Sequence, residues 1–280
     1  MQAVVNIQNR GLAPARDVLI TLASPMNVLL VRKVEQIPTL KPNEKRRLRF
    51  PFKISENAKK GVYDLRFTVK SKETPTQLKR RFLHATKIGL LSRTPRYAEP
   101  LKSWLRGQGY TWDDLPGASD YLKLLRYDLI LVAPEAEMPP KDVRNLANFV
   151  EDGQALLVVD KIATPAKDTL AKTLGYDTLD YHSFKSRDGT LLVIDNQHTI
   201  TRGVGERIML GPSWGNACFS KPSTGQTLAV IQEEQQAIPT IIVNKYGRGK
   251  TVHLNFHAET ATRQLNTILR KAIDWLLSTR

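Results

Sequence analysis

The side chains best suited to chemistry in this sequence are few: a single cysteine, Cys218, and His253, His257 and Glu259 near the C-terminus. One thiol excludes an internal disulfide framework and any multi-cysteine zinc site. His253 and His257 share one face of a strand-like run. Four residues of extended chain separate them by about 13 Å at ~3.3 Å per residue, too far to chelate one ion directly. No metal or cofactor is expected. Gly247-x-Gly249 reads as a hairpin turn rather than a dinucleotide loop, because no helix follows it. Asp160 follows the apolar run Ala155-Leu156-Leu157-Val158-Val159, at the strand end where open α/β sheets bind ligands. With His257 and Glu259 it makes a candidate polar pocket. Trp214, in the loop 211–216, is a candidate cover for that pocket; anchoring a core is the commoner use of tryptophan.

The 280 residues are 41% hydrophobic and 25% charged, enough apolar material for one large domain or two ordinary ones. No apolar run approaches the ~18 residues of a membrane span. The start Met1-Gln2-Ala3-Val4-Val5-Asn6 has neither the basic nor the apolar part of a signal peptide. The net charge of +15 is uneven: residues 1–86 hold 18 Lys+Arg against 6 Asp+Glu, a net of +12, and residues 87–280 a net of +3. The excess peaks at Lys45, Arg46, Arg47 and Arg49, at Lys59-Lys60, and at Lys79, Arg80 and Arg81. Such a field favours polyanions: nucleic acid, anionic lipid headgroups or acidic glycans. The same charges also serve as a solvated sheet face that resists edge-to-edge pairing. No aromatic residues share the alternation of Lys45, Arg47, Arg49 and Lys53 as base-stacking platforms would require.

Positioning falls to two kinds of element. Before residue 87 the periodicity is two throughout. Leu48, Phe50, Phe52 and Ile54 alternate with Arg47, Arg49 and Lys53, and Tyr63, Leu65, Phe67 and Val69 alternate with Asp64, Arg66 and Thr68. Six or seven short strands are expected, with 37–44 a proline-punctuated connection, and together they predict a small all-β sandwich over 1–86. The string Asn9-x-Gly11-x-Ala13-x-Ala15-x-Asp17-Val18, then Leu40-Lys41-Pro42-Asn43-Glu44 and Gly61-Val62-Tyr63-Asp64-Leu65, resembles CARDB-type and NEW3 immunoglobulin-like domains. That resemblance implies spacing and adhesion, and an extracytoplasmic or cell-surface setting. It also implies one further strand ahead of the Asn-x-Gly turn, so that the chain begins inside a longer architecture.

From residue 87 apolar runs alternate with helix-length amphipathic stretches. Strand-like runs are 88–91, 110–112, 127–133 and 155–159; helices are 97–106, 141–151 and 165–174. This is the pattern of βαβ units and a parallel sheet. A β-rich stretch (191–194, 227–231, 240–244, 251–256) and a last helix, 259–277, complete residues 87–280. Three landmarks resemble the class I glutamine amidotransferase-like superfamily, in its ThuA-like and beta-galactosidase-trimerisation branches. They are Tyr127-Asp128-Leu129-Ile130-Leu131 leading into Asn148 to Val159; Asn196-Gln197-His198-Thr199-Ile200-Thr201-Arg202-Gly203; and Lys245-Tyr246-Gly247-Arg248-Gly249-Lys250-Thr251-Val252-His253-Leu254-Asn255-Phe256-His257. The implied fold is a flavodoxin-like parallel sheet with added strands.

The resemblance also implies a catalytic plan: a cysteine on a strained strand-to-helix elbow, activated by a histidine that a glutamate orients. His257-Ala258-Glu259 matches the His-x-Glu half. At the elbow stand Asp160-Lys161-Ile162-Ala163, with neither a cysteine nor a glycine to permit the turn, and Cys218 lies far downstream. Where oxyanion-binding N–H groups belong, Pro134 of Ala133-Pro134-Glu135 has none to give. His257 and Glu259 are then read as structural, Glu259 favouring the start of the last helix. The expected function is a non-catalytic binding or scaffolding module. Its partners are other subunits or further domains of the parent chain, or an acidic glycan or other polyanion. The alternatives are a hydrolase-like enzyme with a modified site at Asp160, His257 and Glu259, and a polyanion binder acting through the basic segment.

Overall fold

The computed structural model describes residues 2–55, 61–71, 76–84, 86–92, 94–134, 136–183, 189–210, 216–218, 221–233, 236–256 and 262–278. The chain divides into two compact units, Met1–Ala85 and Thr86–Arg280.

The first unit is built of β1 (Gln2–Gln8), β2 (Ala15–Ala23), β3 (Val28–Leu30), β4 (Val34–Leu40), β5 (Lys45–Ile54), β6 (Gly61–Lys70) and β7 (Thr76–His84). They form a three-stranded sheet in the order β1-β5-β3 and a four-stranded sheet in the order β4-β2-β6-β7. All pairings are antiparallel. Period two decides which side chains go inside: along β5, Phe50 and Phe52 are buried while Arg47, Arg49 and Lys53 are exposed. One core takes side chains from both sheets, among them Val5, Phe50 and Phe52 from the first and Ile20, Leu22, Leu65 and Phe67 from the second. Phe50 and Phe67 meet edge to face, with ring centroids 5.5 Å apart. Burying each such side chain contributes about 1.5–3 kcal/mol.

The two turn motifs, thirty residues apart in sequence, lock into one corner. The Asn9 side chain accepts from the Gly11 N–H (2.9 Å) and donates to the Ala13 and Leu40 carbonyls at 2.8 and 2.9 Å. The Asn43 N–H donates to the Asn9 carbonyl (2.8 Å), and Asn43 has a positive φ of 59°. Residues 37–40, expected as a connection, belong instead to strand β4. Pro38 is tolerated there because β4 is an edge strand, and the register passes from Arg16↔Thr39 to Val18↔Ile37 without pairing Pro38.

The second unit runs β8 (Ile88–Leu91), α1 (Pro95–Gln108), β9 (Asp113–Leu115), α2 (Tyr121–Leu124), β10 (Leu129–Val132), β11 (Ala136–Glu137), α3 (Pro140–Glu151), β12 (Ala155–Val159), β13 (Ile162–Ala163) and α4 (Lys167–Leu174). It continues with β14 (Tyr181–Ser183), β15 (Thr190–Val193), β16 (Arg207–Met209), β17 (Asn216–Cys218), β18 (Gln226–Glu233), β19 (Gln236–Tyr246), β20 (Gly249–Leu254) and α5 (Arg263–Leu277). A nine-stranded sheet has the order β16-β15-β18-β19-β20-β12-β10-β8-β9. From β20 to β9 the neighbours are parallel, and from β20 to β16 they are antiparallel. Strands β8, β10 and β12 are buried at every position, which is why they read as unbroken apolar runs. Strand β9 begins at Asp113, after the 110–112 run expected to pair. Tyr110 instead caps α1: its N–H donates to the Leu105 carbonyl (3.0 Å) and its ring stacks on Trp104.

The last helix starts at Arg263, with the Thr262 hydroxyl accepting from the Leu265 N–H (3.3 Å) as its N-cap. The described helix is therefore four residues shorter at its start than expected, and Glu259 lies outside the described residues. Leu265, Ile268, Leu269, Ala272 and Leu276 are buried as their spacing predicts. Trp275, also expected inward, is half-buried at the rim, where His198 lies against its ring (centroids 5.3 Å apart) and Lys250 Nζ stands 5.0 Å from its centroid.

Candidate functional site

The parallel strands carry their C-terminal ends to one edge, and Asp160 stands there directly after β12. Its φ is +62°, in the left-handed region that most side chains avoid. The lack of a glycine had argued against a strained elbow at this point, but the backbone adopts a positive φ without one. A short carboxylate side chain tolerates that region better than most.

Hydrogen bonds fix the turn on both sides. The Asp160 N–H donates to the Leu254 carbonyl (2.7 Å), extending the pairing of β12 with β20 by one residue. The Asp160 carbonyl meets Nε2 of His253 at 3.0 Å, and Nδ1 of the same ring meets the Tyr176 hydroxyl at 2.7 Å. A carbonyl only accepts, so Nε2 carries the proton and Nδ1 accepts from Tyr176. His253 is fully buried, and burial pushes its pKa down to about 4, against a smaller opposing effect of the Asp160 carbonyl. The ring is thus neutral near pH 7 with both nitrogens occupied, and it acts as a buttress for the elbow rather than as a base.

Asp160 itself is 0% exposed. His257, Glu259 and Trp214 lie outside the described residues. Cys218 belongs to β17, which pairs with β14 in a separate two-stranded sheet, and not to the elbow. Among the described residues no group of three His, Cys, Asp or Glu is placed to hold a metal ion. Beyond the strand ends, β11 and β13 pair in parallel, and beside them lies an open cleft of about 380 Å³. Its lining is Glu137, Met138, Pro139, Ala163, Thr164 and Pro165. The Thr164 hydroxyl accepts from the Ala166 N–H (3.1 Å), and among the described residues of the lining Glu137 is the only charged one. These described residues offer a ligand one carboxylate and apolar walls, without a nucleophile–base pair among them.

The segment around His198 proves architectural. Asp195 Oδ1 accepts from the Gln197 and His198 N–H groups at 2.9 and 3.2 Å, and Oδ2 accepts from Gln226 at 2.7 Å. The turn so formed presents His198 to Trp275 and offers the Val204 carbonyl to Gln264 (3.1 Å), docking α5. Asp195→Ala should cost about 1–2 kcal/mol by freeing these donors. Asp195→Asn, which keeps an acceptor oxygen, should recover most of it in urea unfolding. Sequence reasoning marked the segment from Asn196 to Gly203 but left out Asp195. The aspartate just ahead of two consecutive turn N–H groups was the available signal.

The basic residues divide by strand geometry. Arg47 and Arg49 lie on the outer side of β5, with Lys45 at its start. Arg46 is on the other alternation and is bonded to Glu44 at 2.8 Å. On β7, Lys79, Arg80 and Arg81 pair in register with Arg66, Leu65 and Asp64.

No family model and no curated protein matches the chain. Solved structures do. A ThuA-like protein of Bacteroides uniformis is 15% identical, with a TM-score of 0.55, over 70% of this chain and 92% of that one. A beta-galactosidase from Rahnella sp. R3 is 14% identical with a TM-score of 0.53, over 67% of this chain but only 30% of the enzyme. A GMP synthase protein from Thermoplasma acidophilum is 14% identical with a TM-score of 0.51, over 68% of this chain and 93% of that one. At such identities the likeness is one of fold. The chain carries the amidotransferase-like α/β fold of ThuA-like proteins, preceded by a β-rich unit.

Proposed function

We propose that this chain is a binding or assembly module without catalytic turnover, in which an immunoglobulin-like spacer precedes an amidotransferase-like domain that has lost its nucleophile. The observation that carries the reading is the elbow after β12. The residue there is Asp160, fully buried, and its carbonyl is held by a neutral histidine whose two nitrogens are both in use. A nucleophile must reach its substrate and its base; this carboxylate has no solvent exposure, and His253 has no free lone pair to offer. Pro134, at the strand end beside it, lacks the N–H that an oxyanion would need. Two antiparallel sheets around one core, closed by the Asn9 corner, support the immunoglobulin-like assignment of the first unit. The match to under a third of a beta-galactosidase chain supports a place within a larger, carbohydrate-associated assembly.

The test is a turnover assay of the purified protein with L-glutamine, p-nitrophenyl acetate and p-nitrophenyl β-galactoside. Release of ammonia or nitrophenol should not exceed the buffer rate, in the wild type or in Asp160→Asn. Saturable turnover that Asp160→Asn abolishes while the protein stays folded would instead establish an enzyme with altered chemistry at this elbow.

A further inference from the structure

The outer face of the three-stranded sheet combines two features that a merely solvated surface does not need together. The first is charge. Alternation along β5 sets Lys45, Arg47, Arg49 and Lys53 on that face, all exposed. At about 6.6 Å per pair of residues the row is about 26 Å long. Strands β1, β3 and β5 contain no Asp or Glu, and the cross-strand partners of these cations are Gln8, Asn6, Val4 and Leu29. The nearest acid in sequence, Glu44, is engaged elsewhere. Its carboxylate accepts from the Lys41 N–H and from Arg46, both at 2.8 Å, and these bonds, the backbone one first, hold its pKa below the usual range. Within the sheet itself no carboxylate neutralises the row.

The second feature is apolar exposure on the same face. Leu29, opposite Lys53, is 60% exposed. Val31 is 67% exposed, and its N–H donates to the Pro51 carbonyl at 3.1 Å, carrying the β3–β5 pairing one residue further. By alternation Leu29, Val31 and Pro51 stand on the side of the cations, along the β3 edge. Met26, in the turn entering that edge strand, is 96% exposed.

We propose that this face docks on an anionic lipid bilayer, the cation row lying on the headgroups while Leu29 and Val31 enter the interface. A soluble polyanion would use the cations and leave the aliphatic side chains without a role. A single-stranded nucleic acid would want aromatic platforms, and none of the residues on this face is aromatic. An anionic membrane uses both features, since peripheral binding combines buried apolar area with attraction to acidic lipids. The surface lies in the first unit, and the proposal does not depend on how the Asp160 elbow is read.

The experiment is co-sedimentation of the full chain with vesicles of phosphatidylcholine and phosphatidylglycerol (70:30) and of phosphatidylcholine alone, beside titration with heparin, at low and moderate salt. The expected result is binding to the anionic vesicles only, weakening steeply with salt. Lys45→Gln/Arg47→Gln/Arg49→Gln/Lys53→Gln should lower it by about six-hundredfold, at roughly fivefold per cation. Leu29→Ser/Val31→Ser should lower vesicle binding about tenfold while leaving heparin binding unchanged. A control in the second unit, Lys123→Gln/Arg126→Gln/Lys141→Gln/Arg144→Gln, removes as much charge from exposed positions and should bind as wild type. If the fourfold variant does not fold, Arg47→Gln/Arg49→Gln carries the test, with a loss of about twenty-fivefold expected. The proposal is overturned by failure of the wild type to bind anionic vesicles at low salt. Equal losses in the control, or an apolar variant that still binds vesicles like wild type, overturn it as well; the last result would mark a soluble polyanion as the partner.

Discussion

Gly249→Ala should cost the α/β unit about 4 kcal/mol or more, a large share of the ~5–15 kcal/mol that holds a typical domain folded. A Cβ built at Gly249 would stand 2.2 Å from the Val150 carbonyl oxygen and 2.3 Å from that of Gln154. Both are backbone atoms at the junction of α3 and β12, and neither is free to retreat. The Val150 carbonyl accepts from the Gly153 N–H at 2.8 Å, and the Gln154 carbonyl from the Lys250 N–H at 3.4 Å. Relief of the clash therefore requires the β19–β20 hairpin to lift away from the helix end, carrying with it the strand that buttresses Asp160. Urea unfolding followed by tryptophan fluorescence measures the loss. A midpoint unchanged from wild type would show that the hairpin is not held against α3. The same substitution at Gly107, within α1 and with nothing inside 4 Å, should stabilise by about 0.5–1 kcal/mol through helix propensity. Opposite signs for one chemical change separate a packing effect from a general intolerance of alanine.

Removal of the His253 ring should be nearly as damaging. His253→Ala leaves a cavity between β12, β20 and the Tyr176 loop, and strips both the Asp160 carbonyl and the Tyr176 hydroxyl of their partner. A buried void with two orphaned polar groups predicts a loss of about 3–5 kcal/mol. The pH dependence has a definite sign. In the unfolded chain the imidazole takes up a proton near 6.5, while in the folded protein it does so only near 4. Between these values the unfolded state binds more protons. Stability from this group is therefore unaffected above about pH 7, and falls as pH drops from about 6.5 to about 4. The loss reaches about 3 kcal/mol at roughly 1.4 kcal/mol per pH unit. Burial also lowers the pKa of the half-buried His198, so the informative quantity is the difference between wild type and His253→Ala. Parallel pH profiles for the two proteins would refute the buried neutral histidine.

The α/β elements were legible in sequence to the extent that burial is one-dimensional. β8, β10 and β12 are buried on both faces and read as unbroken apolar runs, and α3 and α5 announce their inner faces by spacing. In the first unit, Phe50 and Phe52 alternate with cations because one side of β5 meets the core and the other meets water. Strand β4 was harder, since Pro38 signals a break in any strand; whether it may stand in one depends on that strand's place at a sheet edge, which is a property of the assembled sheet.

The candidate site divides along the same line. Sequence alone determined that no cysteine stands directly after β12, that Pro134 offers no N–H, and that most of the net positive charge belongs to the first unit, because these are matters of composition and order. Only the tertiary structure decided that Asp160 nevertheless takes up a left-handed elbow, and that His253 holds it. That bond joins residues ninety-three positions apart, and no local pattern records it. The cations followed suit. A run of basic residues looks like one patch in a string of letters, yet strand alternation sends Arg46 toward Glu44 and assembles Lys45, Arg47, Arg49 and Lys53 beside Leu29 and Val31. Which side chains share a surface is set by how strands pair, and pairing energy is collected between segments distant in the chain.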